Sequence, residues 1–308
     1  MAGIESSPLL FDSNLARQLK ADITEEIFKA IKFPNNKLLR EVARPIFNLP
    51  TKRFSQLMAA FDQKIEASGS QIASNFLLSK LTDSVSSKGQ EIIPRKGPVV
   101  IASNHPGTYD GLTILSQIPR EDVKLIVSGI PFFKNLPNGS RYLIFATRDQ
   151  QVRVDVIRKA VRHLQSGGLL LIFPSGQIDP DPSILNGAEE NLQRWSQSLT
   201  VFLRKVPEAR LVLAITSGVL SREFINHPLT WFFKKGHERR RIMEFMQVIK
   251  QMILNQTVSL NPRVCFSREK NEFSDEGFDI SKRMDFINSQ ALELLKNHMK
   301  EFYPISQD

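Results

Sequence analysis

Apolar residues at Leu15, Leu19, Ile23, Ile27, Phe28 and Ile31 recur at helical spacing, and Pro34, Asn35 and Asn36 close the run, so residues 14–32 are expected to form one amphipathic helix. A short second helix over Lys37 to Phe47 is expected next. A longer third carries Phe54, Leu57, Met58, Phe61, Ile65, Ile72, Phe76, Leu77 and Leu81 on one stripe, with Ser68, Gly69 and Ser70 as its candidate break. Such stripes ordinarily pack on a core; a face turned to a membrane is the other use of the pattern.

From about residue 88 the texture changes to short apolar runs separated by turn residues and helical stretches. The expected strands are Val99 to Ala102, Lys124 to Val127, Leu143 to Ala146, Leu169 to Phe173, Leu211 to Thr216 and Arg263 to Phe266. Helices are expected over Val152 to Gln165, Asn191 to Lys205 and Ser281 to Met299, the last with Met284, Ile287, Ala291, Leu294 and Leu295 on one face. The expected fold class is α/β, a mixed sheet flanked by helices and preceded by an N-terminal helical region. The expected boundaries are 1–86 for that region and 87–308 for the α/β domain. No internal repeat or low-complexity stretch is visible.

Composition adds charge and compartment to this picture. Forty-one Lys and Arg against 32 Asp and Glu leave +9, a surface that attracts phosphate esters, acidic proteins, nucleic acid or an anionic membrane. Nucleic acid is the poorest fit, because no recognition motif accompanies the charge. Cys265 alone cannot form an internal disulfide, and no Cys/His cluster has metal-ligand spacing. The first residues carry acids early and lack a basic region followed by an apolar core, and no apolar run is long enough to cross roughly 30 Å of hydrocarbon. A reducing, cytoplasmic location is expected.

Candidate chemistry concentrates in GPVVIASNHPGTYDG, residues 97–111. A strand run leads into Asn104 and His105, a Pro-Gly turn follows, and Asp110 opens the next element. Strand ends of open α/β sheets face the crevice where ligands bind. A tight turn can fold the Asp110 carboxylate back onto one nitrogen of His105, leaving the other to accept a proton from a hydroxyl. The His-Asp spacing by itself is a weak signal, and context has to carry it.

That context is a resemblance to the glycerophospholipid acyltransferase family, the lysophosphatidate and glycerol-3-phosphate acyltransferases, from residue 88 to about residue 300. GQEIIPRKGPVVIASNHPGTYDG resembles the family's first block, which implies that His105 and Asp110 are the catalytic pair. GSRYLIFATRD resembles the second, and its closing Arg148 is implied to hold the acceptor phosphate. LLLIFPSGQ resembles the third through Phe173, Pro174 and Gly176, and RLVLAITSGV resembles the fourth, a strand toward the acyl pocket. Pro174-Ser175-Gly176 is closest to the plastid-type glycerol-3-phosphate acyltransferases, which also carry a helical region before the catalytic one. Arginines follow that tripeptide in the plastid type; Gln177, Ile178, Asp179, Pro180 and Asp181 follow it here, leaving Arg148, with Lys134 or Arg153 as helpers, for phosphate.

The resemblance implies transfer of a fatty acyl group from acyl-CoA or acyl carrier protein to a glycerol-3-phosphate or lysophosphatidate hydroxyl, without a further cofactor. Asn104, Arg148, Ser175 and Gly176 are the expected substrate-binding positions, with backbone N–H groups near Ser175 and Gly176 lining the site. A different lipid acceptor and a silent lipid-binding protein of the same fold are the alternatives. Trp231 to Arg241, WFFKKGHERRR, interleaves rings with cations and suits peripheral association with an anionic membrane, or else a basic surface loop around a buried Trp.

Overall fold

A computed structural model describes residues 10–146, 150–233, 236–269 and 280–304. Among these residues seven strands form one sheet: β1 (Ser86–Lys88), β2 (Val99–Ser103), β3 (Val123–Ser128), β4 (Leu143–Ala146), β5 (Leu169–Ile172), β6 (Arg210–Ser217) and β7 (Arg263–Arg268). Their order is β1-β7-β6-β2-β5-β3-β4, and every neighbouring pair is parallel except β6 and β7. The expected mixed sheet is therefore present, and each expected strand is observed within two residues at either end. The three-residue β1 has too few apolar positions to be visible in the pattern.

Both faces of the sheet are covered, which is why the central strands are apolar at consecutive positions. Val100 and Ala102 of β2 turn to one face, where α5 (Gln150–Gln165), α7 (Ser198–Lys205) and α9 (Ile280–Phe302) contribute Ala160, Leu164, Phe202, Ile287 and Ala291. Val99 and Ile101 turn to the other, against Ile114 of α3 (Asp110–Leu115) and Ile118 just beyond it. Below α3 lies a second layer of helices, α1 (Ser13–Ala30), α2 (Lys37–Leu81), α4 (Pro131–Lys134) and α8 (Gly236–Leu254), joined by a core of Leu57, Phe61, Leu77, Tyr109, Phe132 and Met252.

Several elements depart from the pattern. The second and third helices are one, α2, which continues through Pro45 and Pro50; Thr51 Oγ1 donates back to the Phe47 carbonyl at 2.6 Å in the turn that Pro50 loosens. The expected break is at Gly69, whose φ of 81° lies in the left-handed region and where the next helical turn begins, its Ser70 N–H donating to Glu121 Oε2 at 2.9 Å. Beyond that kink Ile72 is half exposed instead of lying on the buried stripe. The helix expected over Asn191 to Lys205 is two, α6 (Ala188–Leu192) and α7, because Ser196 N–H leaves the helix to donate to Pro174 O and Trp195 turns into the core. α8 is absent from the sequence expectations.

Candidate active site

β2 ends at Ser103, and the chain crosses to α3 by the turn that bears the candidate residues. Asn104 is buried, and its amide pairs with the backbone of Thr216 in both directions, Nδ2 donating to the carbonyl at 2.9 Å and Oδ1 accepting from the N–H at 2.8 Å. This continues the β2–β6 pairing by one side chain and fixes where His105 leaves the sheet. His105 Nδ1 lies 2.8 Å from Asp110 Oδ2, and the same oxygen accepts the Gly107 N–H at 3.0 Å. A carboxylate only accepts, so the Nδ1 proton donates to Asp110 and Nε2 is the nitrogen that can take up another.

The ring is steadied from the third block. Phe173 stacks on His105 with centroids 4.5 Å apart and an interplanar angle of 22°. Asp179 then clasps the His105 backbone from both ends, its N–H donating to the His105 carbonyl at 2.7 Å and its Oδ2 accepting the His105 N–H at 2.8 Å. Burial opposes charge on the imidazole, but the Asp110 carboxylate and its hydrogen bond, with Glu244 and Asp179 behind them, outweigh it and raise the His105 pKa from 6.5 to about 9. The side chain is still 30% exposed, so the ring is open to a ligand.

Of the expected substrate-binding positions, Ser175 and Gly176 sit in the turn after β5, beside the Phe173 that stacks on His105. Ser175 Oγ donates to the Gln177 carbonyl at 2.9 Å, and the Gly176 N–H donates to Phe173 O at 3.0 Å. Gly176 has a φ of 64°, and beyond its chain neighbours no described residue lies within 4 Å of where a Cβ would stand. Arg148 lies outside the described residues. Lys134 does approach the strand that leads to it, with Nζ 5.9 Å from the Phe145 ring centroid.

Three groups near His105 escape a sequence reading. Asp179 belongs to the loop that follows Pro174-Ser175-Gly176, where its acid is plain in the sequence and its clasp is not. Thr108 and Glu244 meet across the turn at 3.0 Å. Both belong to the wall of a cavity of about 230 Å³ between α1, α2 and α8, otherwise mostly apolar with Ile27, Phe54, Phe132, Phe245 and Met252. Among the described residues no group of three or more His, Cys, Asp or Glu side chains could hold a metal ion. No helix of the described residues is long and apolar enough to cross a membrane.

The Trp231–Arg241 segment divides. Trp231 is 69% and Phe232 81% exposed, which excludes the reading with a buried Trp. Arg239 and Arg240 turn inward to donate to the carbonyls of Ile225 and Ile178, while Lys234 and Lys235 lie outside the described residues.

Comparison with curated proteins returns no significant match. Among solved structures the fold is similar to the crystal structure of the 1-acyl-sn-glycerophosphate (LPA) acyltransferase PlsC from Thermotoga maritima, at a TM-score of 0.43 and 13% identity, over 95% of this chain and 100% of that one. The family model described as Acyltransferase matches residues 84–265. That span starts just before β1 and ends within β7, more than half of the chain and all of the turn between His105 and Asp110, and the protein is a member of the acyltransferase family.

Proposed function

We propose that this acyltransferase moves a fatty acyl group from a thioester, acyl-CoA or acyl carrier protein, to a hydroxyl of a glycerol-phosphate-type acceptor, glycerol-3-phosphate or lysophosphatidate, in phospholipid synthesis. The observation that carries the reading is the 2.8 Å pairing of His105 Nδ1 with Asp110 at the end of β2. Neutral His105 takes the hydroxyl proton at Nε2 as the acceptor oxygen attacks the thioester carbonyl. A C–O bond forms, the tetrahedral oxyanion collapses, the C–S bond breaks, and the imidazolium returns its proton to the departing thiolate. Asp110 stabilises the imidazolium between the two transfers. The apolar cavity that reaches Thr108 suits the acyl chain, and Arg148 is the proposed partner of the acceptor phosphate.

A second reading, an acceptor without the usual phosphate, is favoured by the loop after Gly176. Asp179 and Asp181 occupy the stretch where arginines stand in the plastid type, and Asp181 is spent on the N–H groups of Gly218, Val219 and Leu220. Acyl transfer from acyl-CoA to a panel of glycerol-3-phosphate, lysophosphatidate and phosphate-free lysolipids separates the readings. Wild type should prefer a phosphate-bearing acceptor, His105→Ala should lose about 10²–10⁴-fold on all of them, and Arg148→Ala should lower acceptor kcat/KM roughly 10- to 150-fold, as loss of a charge-assisted contact does. Equal rates on phosphate-free acceptors, untouched by Arg148→Ala, would decide for the second reading.

Peripheral association with an anionic membrane is part of the proposal. Leu38, Val42 and Ile46 are each more than 70% exposed and lie one helical turn apart along α2, with Lys37 beside them and with Arg40 and Arg44 in the same stretch paired with Glu25 and, for Arg44, Glu41. Lys32, just beyond α1, reaches both the Phe233 ring and Glu238, which ties the connection between α1 and α2 to the segment that bears the exposed Trp231 and Phe232. An apolar stripe edged by cations is the pattern of an interfacial helix.

A further inference from the structure

The turn between His105 and Asp110 is held from a side that none of the four sequence blocks includes. Glu244, Gln247 and Gln251 succeed one another along one face of α8, and all three are buried. Gln247 accepts the Ser221 N–H at 2.8 Å and donates to Val219 O at 3.0 Å, fixing the loop after β6. Gln251 accepts from the Tyr109 hydroxyl and donates to Leu81 O at the end of α2. Glu244 takes the turn itself. Its Oε2 accepts from Thr108 Oγ1 at 3.0 Å, and its Oε1 fills the space beside Gly107, where an added Cβ would stand 2.8 Å from it. Among the described residues that buried Oε1 has no hydrogen-bond partner. A buried carboxyl oxygen left unpaired lowers stability, so an apolar side chain would serve packing alone better.

We infer that Glu244 is a positioning residue for acyl transfer: holding Thr108 and bearing on Gly107, it sets the turn that carries Asp110 onto His105, and it adds a carboxyl to the surroundings of the imidazole. The inference rests on His105 as the base. The titratable and charged groups around Glu244 are His105, Tyr109 and Asp110 from the turn, Arg240 and Arg241 from α8 itself, and Glu26 from the α1 wall of the cavity, while Asp179, from the loop after β5, acts on the same imidazole and on Arg240. Burial raises Glu244 to about 8, against the pull of the His105 charge, so its carboxyl ionises in the range where His105 does. Each negative charge beside the imidazole delays its loss of a proton, and removing this one lets His105 become neutral at lower pH.

The test is the dependence of kcat/KM on pH, from about pH 6 to about pH 10, for transfer from acyl-CoA. Glu244→Gln keeps the size and the Thr108 contact but not the charge, and should move the acidic limb down by about half a unit or more. Thr108→Val, which removes only the hydroxyl, should lower kcat about 10-fold. Gly107→Ala should be strongly impaired and partly rescued by Glu244→Ala, which takes away the oxygen the new methyl meets. A Glu244→Gln limb that coincides with wild type, or losses at Gly107 and Glu244 that simply multiply, would overturn the inference. His105→Ala tells its failure from that of the wider reading. If that variant is silent while Glu244→Gln matches wild type, Glu244 alone has been misassigned; if it turns over like wild type, the base assignment falls and Glu244 with it.

Discussion

His105 carries its proton into a pH range where an isolated imidazole has lost it, yet the proposed proton abstraction needs the neutral ring. Activity should therefore climb with pH from the ordinary histidine value of 6.5 toward about 9. Asp110→Asn, which removes the largest favourable charge, should shift the climb downward while reducing the rate. His105→Ala and Asp110→Asn should each lower acyl transfer by about 10²–10⁴-fold, with circular dichroism and the melting transition showing the fold retained. Stability has its own sign. A pKa raised in the folded state contributes stability that is fully present below pH 6.5 and is lost as pH rises through about 9. Denaturant midpoints of wild type and His105→Ala should thus converge on the alkaline side. His105 and Asp110 were legible because one strand and one turn hold both; Asp179 and Glu244 reach them across 74 and 139 residues of chain, a proximity that no local pattern encodes.

Helix α2 shows what periodicity reads well and what it misses. Its stripe was visible, but its length was not, because proline at Pro45 and Pro50 costs one backbone donor each and the turns on either side still close. Gly69 does what the prolines do not. A Cβ there would meet the Glu121 carboxylate at 2.3 Å besides straining a φ of 81°, so Gly69→Ala should destabilise by about 1–3 kcal/mol, read as a lower urea midpoint with unchanged slope. α8 went unread for the opposite reason: buried Glu244, Gln247 and Gln251 interrupt the apolar stripe that marks a core-facing helix. On the exposed half of α2, replacing Leu38, Val42 and Ile46 together by serine should abolish sedimentation with anionic vesicles while leaving transfer to a water-soluble acceptor intact. In wild type, that sedimentation should weaken as salt shortens the reach of the neighbouring cations to about 8 Å at physiological ionic strength.

Across the whole molecule, α9 locks onto β6 through a buried histidine. His298 Nε2 lies 2.7 Å from Ser217 Oγ, and burial with the nearby Arg263 charge lowers its pKa to about 3. A depressed pKa contributes stability present above pH 6.5 and lost as pH falls toward 3. The advantage of wild type over His298→Gln should shrink on acidification by about 1.4 kcal/mol per pH unit in that window, as measured by urea unfolding. At this scale the layered α/β plan was legible from alternating runs, while the pairing of the first helices with α8 was not. Arg53 Nη1 caps the end of α8 by donating to the Met252 carbonyl, 199 positions later, and Gln251 reaches Leu81. On a ribosome the N-terminal helices thus emerge long before the helix that completes their shelter. At about 5–20 residues per second the wait is roughly 10–40 s. During it, the apolar flank of α2 stands open to a chaperone, or to the bilayer itself.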